Sequence, residues 1–185
     1  MKRELLLGGC LLVCLLPSCK NPVDNHREFD EDLIHNSSFE VNGNPTTNGW
    51  TYFSNLPPDT LQGEFSHDVP PSGGNWSLVL TVGDRVFRYW RTTIAAPGET
   101  NRYRLSVWAK AYRDTPISSP SYVALALDGT ILKRQDIQDS TWRYYETIDT
   151  VSTQLGDTLT VELNAGTAYR MQRTYFDLCR LELLK

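Results

Sequence analysis

From Leu33 onward, apolar and polar residues alternate in short runs separated by turn residues, the period of strands with one face buried and the other solvated. The clearest run is Tyr103 to Ala111: Tyr103, Leu105, Val107, Ala109 and Ala111 fall on one face, Arg104, Ser106, Trp108 and Lys110 on the other. Asp128-Gly129 stands between Val123 to Leu127 and Thr130 to Arg134, and both residue types accept positive φ. This predicts a two-residue hairpin with Leu125 opposite Leu132. Further strands are predicted at 77–82, 86–94, 142–148, 158–163 and 175–184, broken by Gly83-Asp84, Pro97-Gly98, Gly156-Asp157 and Gly166. No helical period competes with this pattern. Antiparallel strands at such spacing favour two packed sheets in an all-β, jelly-roll-like sandwich; a closed barrel is the other architecture they allow. The stretch from Asn42 to Asn75, rich in Asn, Pro, Gly, Ser and Thr, reads as long loops with one or two short strands.

The first twenty residues follow a different rule. Lys2 and Arg3 precede an apolar run from Leu5 to Leu16, and Pro17-Ser18-Cys19 follows, the layout of an export signal. A dozen apolar residues fall short of the roughly 20 needed to span a bilayer as a helix. Leu16-Pro17-Ser18-Cys19 resembles the bacterial lipobox, with Leu three residues before Cys and a small residue directly before it. The resemblance implies removal of residues 1–18 and a lipid on Cys19, hence a membrane-anchored lipoprotein of the bacterial cell envelope. Lys20, rather than Asp, follows Cys19, and by analogy with Gram-negative sorting this points to the outer membrane. The rival reading is an ordinary secretory signal that leaves Cys19 as a free thiol. Residues 19–32 are polar and charged and read as a tether of roughly 40 Å when extended at about 3.3 Å per residue; their acidic cluster, Glu28, Asp30, Glu31 and Asp32, reads as solvation.

Removal of 18 of the 185 residues leaves a chain of ordinary single-domain size, with the sandwich at 33–185. That mature chain carries 16 Lys and Arg against 21 Asp and Glu, a net charge of about −5, so the basic footprint of a nucleic-acid binder is missing. Cys10 and Cys14 leave with the signal and Cys19 is acylated, which leaves Cys179 alone and excludes an intramolecular disulfide. The alternation Cys179, Leu181, Leu183 points this thiol into the core.

Asn36-Ser37-Ser38-Phe39-Glu40, with Gly49-Trp50 ten residues on, opens the domain, and Tyr175-Phe176-Asp177-Leu178-Cys179-Arg180-Leu181 closes it. Between them come Trp76-Ser77-Leu78-Val79-Leu80, Pro97-Gly98 and the Tyr103 to Lys110 run. In order and spacing this resembles carbohydrate-binding modules of the galactose-binding-like type, the group often appended to xylanases and laminarinases, over about residues 33 to 185. The resemblance implies a jelly-roll-like β-sandwich and a glycan ligand. It also implies a structural calcium ion, with Glu40 and Asp177 at the ligand positions, and carboxylate oxygens suit a hard cation.

A sugar ring offers an apolar face to an aromatic plane, while its hydroxyls need polar partners. All five Trp lie in the mature chain, with nine Tyr. Trp108 has polar neighbours at even spacing; Trp50 and Trp76 lie in or beside loops, where binding residues concentrate. These three are the candidate ligand-binding residues. Trp90 fits two readings, facing the ligand with Arg88 or buried with Phe87, Tyr89 and Arg91 outward. Trp142 and Tyr144 read as core. Catalytic signals are few: the three His (His26, His35, His67) belong to no catalytic motif, and Asp59, Glu64 and Asp68 are the candidate carboxylates for a glycosidase pair. The expectation is therefore a non-enzymatic, membrane-held glycan binder. An adaptor lipoprotein docking an envelope protein, or a small lyase or hydrolase, are the alternatives.

Overall fold

In the computed structural model, residues 31–55, 64–83, 86–113, 117–168 and 171–184 are described. The signal segment, Cys19 and nearly all of the tether lie outside them, as do His26 and Asp59. The strands are β1 (Glu40–Val41), β2 (Asn44–Pro45), β3 (Thr51–Ser54), β4 (Glu64–Ser66), β5 (Ser77–Val82), β6 (Arg88–Ala95) and β7 (Thr100–Arg113), then β8 (Ile117–Ser119), β9 (Ser121–Leu127), β10 (Thr130–Ile137), β11 (Arg143–Ser152), β12 (Thr158–Asn164), β13 (Thr167–Ala168) and β14 (Gln172–Leu184). Two five-stranded sheets form the sandwich. The first runs β10-β9-β12-β6-β3 and the second β11-β7-β14-β5-β4, with every pairing antiparallel. The chain is thus an all-β sandwich of two separate sheets, and the closed barrel is excluded.

The core lies between the sheets, where period 2 requires it. Leu105, Val107 and Ala109 of β7 meet Val123 and Leu125 of β9 and Leu159, Val161 and Leu163 of β12 in one cluster of buried side chains. The expected hairpin forms, with Asp128 (φ 47°) and Gly129 (φ 80°) at its turn. Its register differs from expectation: a bulge lies between Ile131 and Lys133, so Leu125 pairs with Lys133. An edge strand whose outer residues face water places little constraint on register, and Leu132 is left 38% exposed.

A second bulge shapes the site. On β14, Asp177 pairs with Trp108 but the next pair is Arg180 with Ser106, and Leu178 takes φ 48°. The extra residue switches the inward parity, so Phe176 and Cys179 are both fully buried in the core. At the other end of the domain Asp32 already belongs to the fold. Its carboxylate accepts the backbone N–H of Ile34 (3.0 Å) and Leu181 (3.3 Å), and its backbone forms an antiparallel β-bridge with Glu182.

Candidate functional site

The outer face of the first sheet carries a polar network assembled from strands remote in sequence. Registers set Glu162 beside Arg91, and Asn164 between Tyr89 and Tyr122, with Phe53 beyond Tyr89. Glu162 accepts hydrogen bonds from the Tyr122 hydroxyl (2.6 Å), Asn164 Nδ2 (3.0 Å) and Arg91 (3.1 Å). Burial, followed by the Glu162 carboxylate, pushes the Tyr122 phenol well above its usual range, so it stays a donor. Beside the network stand aromatic rings: Phe53 and Tyr89 stack at 4.8 Å and 10°, and Phe87 follows Tyr89 at 6.4 Å. Ala124 and Ala126 keep the floor of this face low, while the Arg134 guanidinium lies 4.0 Å over the Tyr122 ring. Phe87 is exposed, while Phe53 and Tyr89 are half-buried with the Arg91 guanidinium 5.1 and 5.4 Å from their centroids, so fixed donors and acceptors stand next to an aromatic edge, the combination that polyol recognition needs.

The outer face of the second sheet holds a different arrangement. Its register gives a grid of three rows: Tyr144 beside Trp108, Glu146 beside Ser106 beside Arg180, and Ile148 beside Arg104 beside Glu182. Ser106, the smallest side chain, sits at the centre. The result is a depression of about 450 Å³ over Ser106, with Ser72 and Leu178 at its rim. Trp108 and Tyr144 meet at 5.8 Å and 59°, the Tyr144 hydroxyl donates to Glu146 (3.2 Å), and Arg104 is locked to Glu182 at 2.7 Å.

Farther along this face the Lys110 side chain is buried beneath three rings. Its ammonium lies 4.7 Å from Tyr175, 5.0 Å from Trp142 and 5.5 Å from Tyr112, and it pairs with Asp68. Burial works to raise the Asp68 carboxyl, but the bonds from Lys110 and from the Trp142 indole (2.9 Å) outweigh it and hold the group below its usual range. Asp68 is thereby committed to a structural pair, and among the glycosidase candidates Glu64 stands apart, exposed on β4.

Glu40 and Asp177 are brought to one turn. Their carboxylates lie so close to the α-carbons of Gly74 and Gly73 that a β-carbon at either glycine would collide with them. Glu40 accepts the backbone N–H of Asn75 (2.7 Å) and Trp76 (3.1 Å). Asp177 is fully buried; Oδ1 accepts the Leu178 N–H (2.7 Å), while Oδ2 has no hydrogen-bond partner among the described residues. Burial, with a further contribution from the like charge of Glu40, pushes its carboxyl up to about 7. An orphaned buried oxygen facing a second carboxylate is a donor set that a hard divalent cation fits.

The three candidate tryptophans do not converge; among the described residues no ring contact joins any two of them. Trp50 requires correction. It is 7% exposed and part of the core, packed on Phe39 at 5.3 Å with its indole donating to the Asn36 carbonyl (3.3 Å). Gly49, at φ 85°, turns the chain so that Trp50 points inward rather than to a loop rim. Trp76 is half-buried against His67 at 3.7 Å, and its indole donates to the Gly43 carbonyl (3.0 Å). Trp108 lines the second-sheet depression. Trp90 is core, with Phe87, Tyr89 and Arg91 outward. Tyr144, expected in the core, is 49% exposed, because Tyr145 takes the inward position. The residues that sequence reasoning missed are Phe53, Tyr122, Glu162 and Asn164. The available signal was their alternation with Val161, Leu163 and Val123.

No family model and no curated protein matches the chain. Solved structures do. The enzymatically active domain of bacteriophage CBA120 tailspike protein 4 superposes with TM-score 0.59 at 17% identity, over 82% of this chain and 21% of that one. This chain thus spans about a fifth of the tailspike chain. TmCBM61, solved in complex with β-1,4-galactotriose, gives TM-score 0.55 at 13% identity, covering 83% and 99% of the two chains. A family 16 carbohydrate-binding module gives 0.55 at 18%, covering 81% and 99%. The fold is that of carbohydrate-binding β-sandwich domains.

Proposed function

We propose that this chain is a non-catalytic glycan-binding lipoprotein, held at the bacterial envelope by a lipid on Cys19. The outer face of the first sheet is its binding surface. The observation that carries this reading is the pairing, on one face, of the Phe53–Tyr89–Phe87 rings with the fixed Arg91–Glu162–Tyr122–Asn164 network. Stacking on the rings accounts for the apolar face of a sugar, and the network for its hydroxyls. The fold of the modules it resembles supports the ligand class. Glu40 and Asp177 are then the residues that hold a structural calcium ion; bound there, it supplies the positive charge these two carboxylates lack and ties the Gly73-Gly74 turn to β14.

The test is a glycan array probed with the purified full chain, followed by titration of the best ligand against Phe53→Ala/Tyr89→Ala. Binding that falls by about tenfold or more in the double variant supports the reading. No binding to any polysaccharide at millimolar concentration overturns it. For the anchor, mass analysis of the protein purified from bacterial membranes should show acylation at Cys19, and an unmodified residue there refutes that part.

A further inference from the structure

The second-sheet depression belongs to neither the first-sheet face nor the carboxylate pair. We propose that it is a second glycan site, taking a short neutral pyranose chain, so that one domain holds two glycan strands on opposite faces of the sandwich. The inference stands on its own geometry and shares only the ligand class with the reading above.

Three features carry it. The grid register places the smallest side chain, Ser106, at the centre of larger ones, so the hollow is built into the sheet rather than left by a loop. One wall is aromatic: Tyr144 is 49% exposed and Trp108 half-buried, held against each other at 59°. The other sides alternate in charge, with Arg104 locked to Glu182, Glu146 accepting from the Tyr144 hydroxyl, and Arg180 across Ser106 from Glu146. Two guanidinium groups and two carboxylates sum to zero. A phosphate or uronate would gain from Arg180 and lose to Glu146 and Glu182, whereas a sugar hydroxyl both donates and accepts and finds a partner in each. The volume falls within the few hundred Å³ usual for small-ligand sites. Because Arg104 is already paired with Glu182 and Glu146 already holds the Tyr144 hydroxyl, little ordering of these side chains remains to oppose binding.

The Trp108 indole N–H resonance reports on the site. The full chain is titrated with β-1,4-linked gluco-, xylo- and galacto-oligosaccharides, and with oligogalacturonate as the anionic control. The expected result is a saturable shift of that resonance with at least one neutral oligosaccharide and none with oligogalacturonate. The shift persists in Phe53→Ala/Tyr89→Ala and is lost in Ser106→Tyr, whose ring fills the hollow. Should Ser106→Tyr fail to fold, Glu146→Lys and Tyr144→Ala, both at exposed positions, should each weaken binding by about tenfold. An indole that no neutral sugar moves overturns the proposal, as does one that oligogalacturonate moves equally. Binding that disappears entirely in Phe53→Ala/Tyr89→Ala removes this site and leaves the first. A saturable Trp108 shift together with a total binding isotherm that the double variant leaves unchanged does the reverse.

Discussion

Stripped of divalent metal, the protein should lose stability as pH rises from 5 to 8, and Asp177 is the cause. Its carboxyl is pushed up to about 7 in the folded chain, against about 3.9 for an unfolded Asp. The folded state therefore binds the proton more tightly than the unfolded one. Stability is largest below the unfolded value and falls as pH rises toward the folded one. At about 1.36 kcal/mol per pH unit, the fall between pH 5 and pH 8 is about 3 kcal/mol, or about 8 °C in Tm for a domain of this size. Thermal unfolding in chelator at pH 5 and pH 8 measures the slope, and Asp177→Asn, whose amide oxygen can still accept the Leu178 N–H, should flatten it. Calcium at about 100 times its dissociation constant should restore about 2.7 kcal/mol at pH 8. A slope unchanged in Asp177→Asn, or a Tm in chelator equal at both pH values, refutes the reasoning; a Tm indifferent to calcium, with blank metal analysis, removes the ion.

Other consequences are equally open to measurement. Gly166 has φ 72°, and a β-carbon there would overlap the Ser119 carbonyl and Pro120, so Gly166→Ala should cost about 2 kcal/mol or more in chemical denaturation; wild-type stability would contradict this. Glu162→Ala takes the acceptor from the buried Tyr122 hydroxyl and the ion-pair partner from Arg91, while Asn164 keeps the Tyr122 hydroxyl and the Gly166 N–H, and should destabilise by about 2–4 kcal/mol. Arg91, one-third exposed, contributes less than about 1 kcal/mol of that. A Glu162–Tyr122 double-mutant cycle with no coupling would remove the network from the account. Cys179 is fully buried and its thiol is raised by burial and by Asp32. A thiol reagent should accordingly leave Cys179 unlabelled in the native protein and, with Cys19 acylated as proposed, modify one cysteine after denaturation; a second reactive thiol would contradict acylation of Cys19.

Much of the sandwich was legible because alternation is a local property. The Tyr103 to Ala111 run needed no partner to show its inward face, and Asp128-Gly129 needed none to show its turn. The two bulges were not legible, because an extra residue becomes visible only against the neighbouring strand: Leu132 slips where the strand edge is weakly constrained, and Leu178 where β14 changes parity. The site divides along the same line. Trp108 showed as an outward aromatic through its own strand neighbours. Arg91, Tyr122 and Glu162 lie far apart in the chain, and only the order β9-β12-β6 brings them together. Trp50 was misread because a Gly-rich surrounding suggests a loop rim, whereas the positive φ of Gly49 aims the indole into the core.

The proposed sugar platform is the outer face of the first sheet. Its most direct test is calorimetric titration of the full chain, wild type against Phe53→Ala/Tyr89→Ala, with the oligosaccharide best retained on the glycan array. The double variant should stay folded, with a Tm lowered by the loss of the stacked pair, and lose the binding isotherm of that face, with any remaining isotherm abolished by Ser106→Tyr. An isotherm unchanged by the double variant, with the fold intact, contradicts it.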